Sequence, residues 1–278
     1  MAIGEQAPPA SRAGRSLPAA TATAVVLLSL VALSLAFNRV YFLGLAIAAC
    51  VLGIWELGRA FAAKGFHVPL LPVWVGAVGI LVNAWVLGPS GPVIALVLTA
   101  ATVFVWRVLD GGGPGAVRDA VAGIFVATYV PFMASFAVLM AREEAGAFWI
   151  ATFILLVVGN DTGGYATGVM FGRHPIAPSI SPKKSWEGVA GSFILTTAVA
   201  AVAMHLWLHA PLWWAPILGA LIVFTATTGD FAESLLKRSL GLKDFGTVLP
   251  GHGGMMDRLD SLLFTAPVAW LVFTLAAR

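Results

Sequence analysis

A chain of 278 residues that is 59% hydrophobic and only 10% charged is too apolar for an ordinary soluble domain. Its net charge of +3 accompanies long apolar runs, so the excess belongs to loops beside membrane spans and gives no case for nucleic-acid binding. The single cysteine, Cys50, excludes a disulfide framework or a cysteine-based zinc site within one chain.

In chain order, residues 1–18 are rich in Ala, Pro, Ser and Arg and read as a disordered tail. The apolar run at about 20–37 follows Arg12 and Arg15, and its Ser34-Leu35-Ala36 resembles a cleavage site. It is longer than a signal-peptide core of ~7–15 residues, so it is expected to stay as a span. Further spans are expected at about 41–58, 69–88, 91–108, 119–140, 147–160, 187–208, 212–229 and 260–277. Most approach the ~20 residues that cross a hydrocarbon layer of ~30 Å. The stretch 147–160 is shorter and runs into the polar sequence Asn160-Asp161-Thr162-Gly163-Gly164. Continuous apolarity, without alternation, excludes a membrane barrel. The expected fold class is all-α: a polytopic integral membrane protein with about nine transmembrane helices.

Nine spans with a cytoplasmic N-terminus put 13 of the 16 Lys and Arg residues on the inner side, leaving Arg39, Arg142 and Arg278 outside. That asymmetry fits the positive-inside rule. The chain then divides into the tail, five N-terminal spans over 19–140, and a membrane region over 141–278. Two inner polar loops, about 160–186 and 230–259, carry nearly all of the polar chemistry.

If the helix that ends the eighth span continues, Asp230, Glu233, Ser234 and Lys237 fall within about 100° of arc, with Leu235 and Leu236 directed away. Two carboxylates beside a hydroxyl and an ammonium suit a metal held near phosphate oxygens. The same Asp-x-x-Glu spacing also serves as a helix start. Asp257, Asp260 and Ser261 share a face at the opening of the last span, where the helix dipole favours anions. A bound cation would offset two acids at the mouth of an apolar span. Hard oxygen ligands of this kind favour Mg²⁺ or Mn²⁺. Between the two groups, Pro250-Gly251-His252-Gly253-Gly254 excludes regular helix and permits a phosphate-cradling turn, although such turns are common.

The other polar loop holds Asp161 and the run Ser181-Pro182-Lys183-Lys184-Ser185-Trp186-Glu187-Gly188. Paired lysines before a helix N-terminus suit a polyphosphate, and they equally suit any inner loop. Glu56 lies three residues before Arg59, a spacing that reads as an ion pair on one helix. Asn83 and His205 read as interhelical hydrogen-bonding groups.

Taken together, Ser234 to Asp260 resembles the signature of the phosphatidate cytidylyltransferase (CDP-diacylglycerol synthase) family. Its defined positions match Ser234, Lys237, Arg238, Lys243, Asp244, Gly246, Leu249, Pro250, His252, Gly253, Gly254, Asp257, Arg258 and Asp260. Asn160-Asp161-Thr162-Gly163-Gly164-Tyr165 and Ser181–Gly188 are similar to the family's other polar runs, with Gly164 standing where alanine is more usual. The resemblance implies transfer of CMP from CTP to phosphatidate, giving CDP-diacylglycerol and pyrophosphate.

On that likeness, Asp230 and Asp257 would hold Mg²⁺ or Mn²⁺, with room for a second cation, and Glu233 and Asp260 would be further ligands. Lys237, Arg258 and Asp260 would join Asp230 and Asp257 as catalytic groups. Asp161, Lys183, Lys184, Ser234, Arg238, Lys243, His252, Gly253 and Gly254 would bind substrate phosphates. The expected partners are CTP, phosphatidate, the bilayer and a second copy of the chain as a homodimer. The expected location is the inner (plasma) membrane, with the site facing the cytoplasm. A CTP-dependent polyprenol kinase is the alternative within enzymes. A secondary transporter fits less well, because its site would sit near the midplane within paired repeats.

Overall fold

Long helices account for nearly all of the described chain. The computed structural model describes residues 17–178, 181–251 and 253–277. Among the described residues there are nine helical rods: α1 (Leu17–Phe37), α2 (Val40–Ala62), α3 (Leu70–Leu87), α4 (Ser90–Leu109), α5 (Ala116–Arg142), α6 (Gly146–Phe171), α7 (Trp186–Leu208), α8 (Trp214–Leu240) and α9 (Met256–Ala276). Eight are long and apolar enough to cross a membrane, and α1 adds a shorter apolar stretch from Thr21 to Phe37. The all-α, polytopic reading holds. Arg12, Arg15, His252 and Arg278 lie outside the described residues, as does most of the 1–18 tail.

Two boundaries differ from expectation, and both matter for the site. α6 runs for 26 residues through Asn160–Tyr165, where the sequence suggested a loop. α8 runs for 27 residues through the whole Asp230–Arg238 stretch. At 1.5 Å per residue each is about 40 Å long, some 10 Å more than a hydrocarbon layer. The polar side chains crowd toward the C-terminal end of each, Asp161 ten residues before Phe171 and Asp230 ten before Leu240. What remains between α6 and α7 is a short ribbon, β1 (Pro175–Ala177) paired antiparallel with β2 (Ser181–Ser185). Pro175, Pro178 and Pro182 favour extended chain here and deny it a helix.

Close packing of backbones fixes the helices that matter most. A Cβ on Gly163 of α6 would lie 2.5 Å from the Gly191 carbonyl oxygen of α7. The Ser192 hydroxyl donates to the Asn160 carbonyl at 2.6 Å across the same seam. On Gly229 of α8, a Cβ would lie 2.7 Å from the Asp260 carbonyl oxygen of α9. α6 with α7, and α8 with α9, can therefore approach only because these positions lack side chains. α5 is broken by a π turn over Thr128–Phe132, where Pro131 removes one donor from the helical ladder.

The N-terminal helices pack around Ile54, Leu57, Leu81 and Val130. The C-terminal ones pack around Leu156, Leu218, Ile222 and Phe273. At the polar end, buried Asp119 accepts from the His67 backbone N–H at 3.0 Å and from Arg107 at 3.3 Å, tying the α2–α3 and α4–α5 connections together. At the opposite end, Arg39 donates to the Arg142 carbonyl and Arg142 to that of Ala84, each at 3.3 Å. Asn83 bonds within its own helix, to the Gly79 carbonyl at 2.7 Å, and not to a neighbour as expected.

Gly163→Val should force α6 and α7 apart and destabilise the protein by about 1–3 kcal/mol. Thermal melts in detergent should shift down accordingly, and an unchanged melt would contradict the close-packing account.

Candidate functional site

The ribbon, the ends of α6 and α8 and the start of α9 meet at one end of the bundle. Ser185 ends β2 in an extended conformation and caps α7, its hydroxyl accepting the Gly188 N–H at 3.1 Å. Glu187, in the first turn of α7, accepts the Arg173 N–H at 3.1 Å and contacts His174 Nδ1 at 2.6 Å, which pins the start of the ribbon. Held in this way, β2 projects Lys184 onto α8, where its ammonium pairs with Asp230 and lies 5.1 Å from the Phe231 ring. Lys183 is the preceding residue of the same strand.

The expected polar face of α8 is present. The helix continues unbroken through Asp230, Glu233, Ser234 and Lys237, while Leu235 is exposed on another side. Lys237 bridges two elements: its ammonium lies 2.7 Å from Glu233 on its own helix and 2.7 Å from Asp257 at the start of α9. Glu233 and Asp257 are both buried. Buried carboxylates are stable as anions only when compensated, and Lys237 is the cation paired with both. In this arrangement its positive charge is directed at protein carboxylates, so the lysine shapes the site as well as lending it charge.

Asp257 gathers further donors. It accepts the Gly254 N–H at 2.7 Å and the Phe245 N–H at 3.3 Å, closing the loop after α8 onto the first turn of α9. Within that loop, Leu249 and Gly253 exchange backbone hydrogen bonds at 2.9 and 3.1 Å, and Gly251 and Gly253 take positive φ values that require glycine. The N–H groups of Gly253 and Gly254 are therefore turned inward, onto Leu249 and Asp257. The sequence suggested N–H groups exposed to a phosphate; here these glycines close the loop. Lys243 and Arg238 are exposed on the loop and at the end of α8, and Ser234 is half-buried.

Glu56 is the residue that sequence reasoning misplaced. It does not pair with Arg59, whose guanidinium instead lies 4.8 Å from the Trp55 ring centre. Its buried carboxylate crosses to the C-terminal half and accepts the N–H groups of Met255 at 3.0 Å and Met256 at 2.9 Å. The available signal was a lone acid inside an apolar span, a costly group that is seldom kept without a partner. Nothing in the sequence pointed to that partner being backbone some 200 residues away.

Between α6, α7, α8 and β2 lies a cleft of ≈ 190 Å³ lined by Asn160, Asp161, Tyr165, Lys184, Ser185 and Asp230, among others. Asp161, Asp230 and Asp260 stand near enough to repel one another, and Arg258 near enough to attract Asp161. The Asn160 amide donates to Asp161 at 3.0 Å, while its buried carbonyl oxygen has no partner. Such a set of hard oxygens, one of them orphaned, fits a divalent cation. Among the described residues no three acidic or histidine side chains converge into a ready-made shell. An ion sharing one or two carboxylates with substrate phosphates is the arrangement typical of Mg²⁺.

The two key aspartates should respond differently to neutralisation. Asp257→Asn breaks a buried pair and faces an amide toward an N–H donor, which should cost about 1–3 kcal/mol of stability in detergent melts. Asp230→Asn, at a partly solvated ion pair, should cost less than about 1 kcal/mol. Equal losses would contradict the described bonding.

A model of the cytidylyltransferase family matches residues 18–276. The chain is similar to the phosphatidate cytidylyltransferase of Mycobacterium leprae, at 39% identity over 283 residues, covering 95% of this chain and 89% of the relative. It is 38% identical to the Mycobacterium bovis protein of that name over 279 residues, covering 95% and 90%. It is 35% identical to the Thermotoga maritima one over 245 residues, covering 83% and 87%. With helices, polar end and signature segment all inside the matched region, the chain belongs to the cytidylyltransferase family.

Proposed function

We propose that the protein transfers CMP from CTP to phosphatidate. A phosphatidate phosphate oxygen attacks the α-phosphorus of CTP, the bond from that phosphorus to the β-phosphate oxygen breaks, and CDP-diacylglycerol and pyrophosphate are released. The observation that carries this reading is the meeting of Lys184 with Asp230, beside Asp161, Asp260 and Arg258, at the polar end of an apolar bundle. Family membership and the names of the relatives support it.

Phosphatidate already presents an anionic oxygen, so no strong base is needed. The physical problem is to bring a lipid phosphate against a triphosphate despite their mutual repulsion. Fixed cations reduce that repulsion, and rigid elements supply the alignment. Lys183 and Lys184 on the ribbon, Arg238 and Lys243 at the end of α8, and Arg258 on α9 are the proposed phosphate holders. Ser234 and His252 complete the proposed set. Lys237 keeps the Glu233 and Asp257 carboxylates in place.

Asp230 and Asp161, on the cleft with the orphaned Asn160 oxygen, are the proposed holders of Mg²⁺ or Mn²⁺, with Asp260 beside them. Asp257 retains lone pairs beyond its present donors and, with Glu233, is the proposed holder of any second cation. Such an ion, when bound, neutralises phosphate charge and aligns reacting oxygens. The proposed location is the inner (plasma) membrane with the polar end in the cytoplasm, so that CTP arrives from water and phosphatidate from the side.

With purified protein, CTP and phosphatidate, Asp230→Asn should lower CDP-diacylglycerol formation at least about a hundredfold while the protein stays folded. Near-normal turnover in that variant would contradict the assignment. Chelation of divalent metal should stop turnover and added Mg²⁺ should restore it; turnover indifferent to chelator would leave the Lys and Arg side chains as the whole site.

A further inference from the structure

We propose that Glu56, in the N-terminal half of the chain, is a positioning residue for CMP transfer. From α2 it sets the loop after α8 and the first turn of α9, which present Asp257 and Asp260. The inference rests on the reaction proposed above.

The start of α9 lacks a cap of its own. Met255 occupies the N-cap position and has no side-chain capping bond, so the first N–H groups of the helix need acceptors from elsewhere. Glu56 provides them, one oxygen to the Met255 N–H at 3.0 Å and the other to the Met256 N–H at 2.9 Å. An anion at this place is also favoured by the helix dipole, which answers how a carboxylate only 1% exposed is held within an apolar bundle.

The loop is shaped around the same group. A Cβ on Gly254 would lie 2.6 Å from one Glu56 oxygen, and a Cβ on Gly246 would collide with the other. One turn earlier on α2, Gly53 lets the Met256 sulfur approach: a Cβ there would lie 2.9 Å from it. Asp257 binds the same loop through the Gly254 and Phe245 N–H groups. The loop is thus clamped between a carboxylate from α2 and one from α9. Glu56 does not line the cleft that holds Asp161, Lys184 and Asp230, so it acts through the placement of α9 and not by contact with substrate.

Glu56→Gln keeps the shape but offers one acceptor where two N–H groups need one each, and turns an NH₂ toward the other. The expected result is a kcat about ten- to a hundredfold lower, with KM for CTP and phosphatidate within about threefold of the wild type. Hydrogen–deuterium exchange should quicken in peptides covering 242–258 and stay unchanged across α6 and α7. Glu56→Asp, which keeps the charge, should recover part of the kcat. Adding Gly246→Ala to Glu56→Ala should cost little more, because the clash partner is gone, whereas Gly246→Ala alone should be damaging.

A kcat within about twofold of wild type in Glu56→Gln overturns the proposal. So does exchange that is unchanged, or that rises evenly over the molecule, as loss of general stability would give. A wild-type protein that makes no CDP-diacylglycerol overturns the reaction reading instead. In that event the exchange contrast, which needs no turnover, still decides whether Glu56 holds the loop.

Discussion

One ammonium between two buried carboxylates organises the polar end of this molecule. Lys237 sits 2.7 Å from both Glu233 and Asp257, and so joins the last turns of α8 to the first turn of α9. In water such a pair is worth little, but in a low-dielectric surrounding an uncompensated charge is prohibitive. Each of the three groups is therefore required by the other two. Asp257 passes the constraint on to the loop through Gly254 and Phe245, and Glu56 receives the N–H groups of Met255 and Met256. The glycine-rich loop, unconstrained by regular structure, inherits its shape from these charges.

The geometry above that clamp comes from helix length and from missing side chains. α6 and α8 exceed the hydrocarbon thickness, and Asp161 and Asp230, each ten residues before the C-terminal end, open onto the cleft between α6, α7 and α8. Gly163 and Gly191 bring α6 against α7, and Gly229 brings α8 against α9. Asp161 and Asp230, far apart in sequence, are thereby held on one cleft. Preorganisation of this kind removes from the reaction the cost of gathering like charges.

Much of this was legible in the sequence. Nine helices, their apolar runs and the crowding of ionisable groups near the C-terminus follow from hydropathy and charge alone. The polar face of α8 followed from helical spacing, and the signature segment named the family. Three things were hidden. The run Asn160–Tyr165 looks like a loop because it is polar and glycine-bearing, yet α7 packs against Gly163 and leaves it helical, while Asp230–Arg238 is polar without glycine and α8 continues straight through it. The ribbon before α7 is short, and local proline content marks it as irregular without revealing its pairing. Glu56 reads from sequence as the partner of Arg59 because spacing reveals only local neighbours, whereas its partners are backbone groups of Met255 and Met256. Its companion Arg59 turned instead to the Trp55 ring.

The division of labour between the halves also becomes clear. The C-terminal helices supply the cleft and its ionisable side chains, while α2 supplies the Glu56 carboxylate and Thr23 of α1 donates to the Pro250 carbonyl at 2.8 Å. The N-terminal helices are thus fastened to the glycine-rich loop at two points. The fate of the CTP phosphates tests the central claim most directly, using purified protein, phosphatidate, Mg²⁺ and CTP labelled at either the α- or the γ-phosphorus. The account predicts that α-label enters the chloroform-soluble product and γ-label leaves as pyrophosphate. Lipid carrying γ-label, with CDP released, would contradict it and make the protein a lipid kinase.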